Sequence, residues 1–101
     1  MEKGKLVRDR IPVIIKKGGR RPITHVATDK EYAEKLKEKL REEVDEFLAS
    51  GKKEELADIV EVINALCDMM KLERAELETI RRKKSVQRGG FTGRVILDAI
   101  E

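Results

Sequence analysis

Four carboxylates in two matched pairs are the residues of this chain best suited to chemistry. Glu43 and Glu46 stand three apart, as do Glu55 and Asp58, and in an α-helix that spacing puts both members of a pair on one face. The same faces carry hydrocarbon. At about 100° per residue, Ala33, Leu36, Leu40, Val44 and Phe47 make a stripe that includes Glu43 and has Glu46 at its edge. Leu56, Ile59, Ile63, Leu66 and Met70 make a second stripe, with Glu55 along it and Asp58 at its margin. An ionised carboxylate facing an apolar interior costs several kcal/mol unless another charge compensates it. A divalent cation supplies that charge. Mg²⁺ fits best, because it takes hard oxygen ligands at about 2.0–2.1 Å and keeps waters that a phosphate displaces; Mn²⁺ suits the same donors. The remaining acids call for nothing special: Glu31, Glu34, Glu38, Glu42, Asp45, Glu54, Glu61 and Asp68 fall mostly off the apolar faces and read as solvated or surface-paired.

The pairs are useful only if the elements carrying them meet. Thr28 and Glu31 form a capping box that opens a helix running to about Ala49. Gly51 supplies a left-handed stop, Ser50 or Lys52 starts the next helix, and that helix continues to about Lys71. So short a connection makes the two helices antiparallel and brings the acidic pairs level near the turn. Upstream, Asp9 and Pro12 open a short helix through about Lys17, closed by Gly18-Gly19. Pro22 to Ala27 reads as a short extended segment or weak strand, with Arg94 to Ile100 expected as a strand pairing with it. Residues 72–84 are helical by composition, and propensity does not decide whether a break falls near Lys71. The expected fold is therefore mainly α and a single domain over residues 1–101. It is an antiparallel helical hairpin with short N- and C-terminal extended segments.

With aromatics at 3% and no Trp, the core must be aliphatic. A two-helix hairpin cannot bury all its apolar surface alone, so a four-helix-type bundle built as a homodimer or homotetramer is expected. The net charge of +3 hides an uneven distribution. Residues 1–21 carry +6 and residues 81–94 carry +6, whereas residues 29–78 carry −7. Basic ends around an acidic centre suit a polyphosphate held against a metal, and equally suit nucleic acid. Arg8 and Arg10 are candidate phosphate ligands, since a guanidinium offers a planar fork of donors; the alternative is that they are surface charges or pair with Asp9. Gly89 and Gly90 permit close backbone approach to an anion amid surrounding Lys and Arg. His25 is the only histidine and has no partner for a metal or triad role, and Cys67, the only cysteine, reads as a buried structural thiol. No leader, lipidation motif or membrane-length apolar run is visible, which points to a cytoplasmic protein without a membrane partner.

Taken together, the chain resembles the MazG-like all-α nucleoside triphosphate pyrophosphohydrolases, relatives of the phosphoribosyl-ATP pyrophosphohydrolases. The resemblance rests on Glu42-Glu43-Val44-Asp45-Glu46 and on Glu54-Glu55-Leu56-Ala57-Asp58-Ile59-Val60-Glu61. The opening Lys5-Leu6-Val7-Arg8-Asp9-Arg10-Ile11-Pro12 and the closing Arg88-Gly89-Gly90-Phe91 extend it over nearly the whole chain. It implies Mg²⁺ held at Glu43, Glu46, Glu55 and Asp58, and cleavage of the α–β phosphoanhydride to a nucleoside monophosphate and pyrophosphate. It also implies a bundle of two or more chains. On that footing Glu43 or Glu46 is the candidate general base, and Lys83, Lys84 and Arg88, with Arg8 and Arg10, are candidates for holding phosphates. Phosphoribosyl-ATP cleavage in histidine synthesis follows the same bond logic. A non-catalytic helical module binding nucleic acid through its basic ends is the reading from another class, opposed by the inward acids. A purely structural dimerisation domain explains the stripes but not the acids within them.

Overall fold

The computed structural model describes residues 4–101 and is mainly helical. Four helices follow in order: α1 (Ile11–Lys17), α2 (Asp29–Ser50), α3 (Lys53–Met70) and α4 (Arg74–Arg88). Only α2 and α3 pack extensively against each other among the described residues. Their hairpin is the core of the chain.

Local chemistry explains the helix ends. Pro12 lies in the first turn of α1, and Gly19, at φ +82°, carries the chain away from its end. Thr28 caps α2, its Oγ1 accepting from the Glu31 backbone N–H at 3.2 Å. The box is completed differently from the expectation. Glu31 directs its carboxylate to His25 Nε2, 2.9 Å away, which places the lone histidine in an exposed hydrogen bond. Gly51 adopts φ +67° and donates its N–H to the Phe47 carbonyl, so the chain reverses through residues 51–52 alone. The break that propensity left open falls at Lys71, in the left-handed region at φ 56°, with the Leu72 N–H closing on the Cys67 carbonyl.

Leu36 is the most buried side chain, at 2% exposure, and it packs on α2 in line with half-buried Ala33, Leu40, Val44 and Phe47. On α3 the buried line is rotated from the expected one. Val62 and Cys67 are buried, whereas Leu56 and Met70 stand 47% and 65% exposed. A stripe estimated from apolar positions alone is pulled toward Leu56, Val60 and Met70; the side that meets α2 runs through Glu55, Asp58, Val62 and Leu66 instead. Glu55 and Asp58 thus turn further inward than their neighbours suggest.

The expected strand pairing between residues 22–27 and 94–100 does not form, and no strand occurs among the described residues. Ile23, Val26, Val95 and Ile96 are at least 79% exposed. Their β-branched side chains favour extended backbone, but an isolated two-stranded ribbon is marginal in water, and these exposed segments have no packed face to support one. The molecule is correspondingly long. Its radius of gyration is 17.9 Å, with extents of 60 × 31 × 24 Å, against about 13 Å for a compact domain of this length. No helix of the described residues is long and apolar enough to cross a membrane.

Candidate metal centre

About two turns from the reversal, α2 and α3 bring their acids level. Carboxylate oxygens of Glu43, Glu55 and Asp58 lie within 4.8 Å of one another. Around an octahedral ion with oxygens at about 2.1 Å, adjacent ligands are about 3 Å apart and opposite ones about 4.2 Å. The three side chains therefore reach a common ion with little movement. Glu46 joins a second, overlapping group with Glu42 and Glu43 under the same distance limit. Of the four carboxylates expected to converge, the structure gathers three across the hairpin and sets Glu46 beside them, exposed on the α2 side.

Glu43 is the hinge of both groups and the most constrained of the acids. It is 6% exposed, and its Oε2 is buried with no hydrogen-bond partner. Its Oε1 lies 3.2 Å from Lys39 Nζ, one helical turn earlier. Burial raises the Glu43 pKa; Lys39 opposes the rise, and the charges of Glu46 and Asp58 add to it. An orphaned carboxylate oxygen beside two further acids is an expensive arrangement in a protein interior, and its chemistry fits a hard divalent cation.

Cations from elsewhere in the chain already press on the group. Arg8 donates from Nη2 to Asp58 Oδ1 at 2.7 Å, although fifty residues separate them. This guanidinium therefore holds one of the acids, rather than pairing with its neighbour Asp9. Lys5 Nζ lies 2.7 Å from Glu42 Oε1, and Lys39 Nζ lies 3.4 Å from the same oxygen. Burial tends to raise the Glu42 pKa, yet the bonds to Lys5 and Lys39 outweigh it and hold the group below its ordinary value. Glu42, which the helical wheel assigned to solvent, thus belongs to the neighbourhood of the site. Lys39 had a legible signal, its i,i+4 spacing to Glu43; Arg8 stood out as a candidate phosphate ligand, but neither its pairing with Asp58 nor that of Lys5 with Glu42 had a local signal. A cleft of about 570 Å³ opens between residues 4–6 and α2, with Lys5, Lys35, Lys39, Glu42 and Glu46 in its wall but none of Glu43, Glu55 and Asp58.

The other candidates fall outside this cluster. Arg10 is exposed at the start of α1. Lys83, Lys84 and Arg88 are exposed on α4, with Gly89 and Gly90 just beyond its end. Lys83 lines a shallow hollow with Thr79, Arg82, Val86 and Gln87, none of them acidic. The structure does not bring the α4 cations to the acids within one chain, because α4 lies outside the extensive packing of the hairpin. No protein-family model, curated protein or solved structure matches the chain.

Proposed function

We propose that this chain is a Mg²⁺-dependent nucleotide pyrophosphohydrolase that cleaves nucleoside triphosphates between the α and β phosphates. Products are a nucleoside monophosphate and pyrophosphate. The observation that carries this reading is the Glu43 carboxylate, buried and half unpartnered, facing Glu55 and Asp58 across the hairpin. The motif resemblance supplies the reaction class.

Glu43, Glu55 and Asp58 would hold the ion, which would supply Lewis-acid chemistry and positive charge for the phosphate oxygens. Glu46 sits beside them with open access to water, and takes the proton of the attacking water. Buried Glu43 is poorly placed for repeated proton exchange with solvent, so the two candidate bases divide into a ligand and a base. Arg8 and Lys39 stand next to the acids and supply positive charge to the phosphates. Lys83, Lys84 and Arg88 reach a site only in an assembly, where α4 of one copy lies along the hairpin of another. The exposed Leu56, Val60 and Met70 on α3, with Ile80 and Val86 on α4, favour such a bundle as a homodimer or homotetramer. A nucleotide substrate and a single unpaired thiol suit a cytoplasmic setting.

The test is a panel of ordinary and modified nucleoside triphosphates, with phosphoribosyl-ATP included, incubated with protein and Mg²⁺. Monophosphate plus pyrophosphate is the expected result, and phosphoribosyl-ATP as the preferred member would move the enzyme to histidine synthesis. Diphosphate plus orthophosphate would place the cleavage at the other anhydride and refute the reading. Salt-sensitive nucleic-acid binding that ignores Mg²⁺, with no phosphate released, would transfer the function to the basic surface of α4.

A further inference from the structure

Residues 4–10 bridge the two helices of the hairpin through their charges. Lys5 reaches Glu42 on α2, and Arg8 reaches Asp58 on α3, each at 2.7 Å. Lys39 adds a third cation, 3.2 Å from Glu43 Oε1.

The three cations are not equivalent. Lys39 is fixed on α2, and it leaves the second oxygen of Glu43 untouched. Arg8 instead comes from a different part of the chain and binds one oxygen, Oδ1, of Asp58, an acid of the group shared by both helices. It does so from an irregular segment ahead of α1, with its side chain 57% exposed. A guanidinium and a divalent cation compete for the same carboxylate lone pairs, and a water-exposed ion pair is weak enough to be exchanged.

We propose that Arg8 is a placeholder, neutralising Asp58 while no metal is bound and giving up that oxygen when a divalent ion enters. The inference rests on the metal-centred reading of the acids. Once displaced, the guanidinium remains tethered next to the cluster, where its fork of donors suits the oxygens of a phosphate. Metal and phosphate binding then favour each other, because the phosphate supplies the partner that the metal takes away.

The experiment is a titration of metal-free protein with Mn²⁺ in the absence of nucleotide, followed by the paramagnetic resonance of free Mn²⁺. Arg8→Ala should bind Mn²⁺ about two- to fivefold more tightly than the wild type, the range set by an exposed pair. Arg20→Ala removes the same charge from an exposed position after α1 and should change nothing. Adding AMP should tighten Mn²⁺ binding by the wild type but not by Arg8→Ala. Arg8→Lys keeps the charge without the planar fork and should lie between the two, which serves if Arg8→Ala loses helicity by circular dichroism. Equal or weaker Mn²⁺ binding by Arg8→Ala, with binding still abolished by Glu43→Gln, would overturn the placeholder and leave the metal site standing. No Mn²⁺ binding by either protein, or binding indifferent to Glu43→Gln, would overturn both.

Discussion

The α2–α3 hairpin and α4 are both well-formed helical structure, yet they solve opposite problems. In the hairpin, residues 29–70 with a charge of −6 turn part of their acidity inward, where Glu43 is buried among other carboxylates. In α4 and the turn after it, residues 81–94 with a charge of +6 leave almost everything in water. The bonds of α4 are largely its own: Arg81 forks onto Glu78 at 2.6 and 2.9 Å, and Thr79 Oγ1 donates to the Ala75 carbonyl. Its link back to α3 is Arg74, which donates to the Asn64 carbonyl and lies 3.8 Å from Asp68. A helix thus follows from local sequence, while a site needs a second element close enough to concentrate charge.

The largest test of that contrast falls on the buried acid. On the proposed function, Glu43→Gln should reduce hydrolysis by on the order of a hundredfold or more, measured as pyrophosphate release, because it removes the carboxylate common to both acidic groups. The same substitution should alter the pH dependence of unfolding. The Glu43 pKa is raised above 4.5 on folding, so the metal-free hairpin should lose stability as pH rises from 4.5 through the folded value. Glu43→Gln should abolish that slope. Glu42 behaves in the opposite sense: its lowered pKa stabilises the fold above 4.5, and that contribution is lost as pH falls through the folded value. Denaturant titrations across this range with the metal removed would resolve the two.

Next in size is packing. Leu36→Ala should cost about 2–5 kcal/mol in urea unfolding, as expected for a large aliphatic side chain deleted from a core. Smaller still is the cap: Thr28→Ala should cost about 1 kcal/mol through loss of the bond to the Glu31 N–H. The smallest effect is expected on α4, where Val86→Ala at 82% exposure should cost under about 0.5 kcal/mol in dilute solution. A loss that grows with protein concentration would show that a second copy covers α4, and would bring its cations into play.

Particular residues mark what the sequence could convey. Pro12, Thr28, Gly51 and the apolar repeat on α2 announced the helices and the reversal, because capping and backbone freedom act within a few residues. The i,i+3 acidic spacing likewise placed Glu43 with Glu46 and Glu55 with Asp58. The face of α3 was less legible, since Leu56 and Met70 are apolar but do not meet α2. Extended segments were expected to pair because their residues favour strands, yet a two-stranded ribbon needs a packed face, which these exposed segments lack.

The sequence by itself determined where helices start and stop and which acids share a helical face, since these are short-range consequences of hydrogen bonding and a 3.6-residue period. Tertiary structure alone decided that one oxygen of Glu43 is left buried without a partner, that Arg8 finds Asp58 fifty residues away, and that the basic helix α4 stands apart from the acids. Burial and long-range charge pairing depend on how the hairpin closes, and no local spacing encodes that distance.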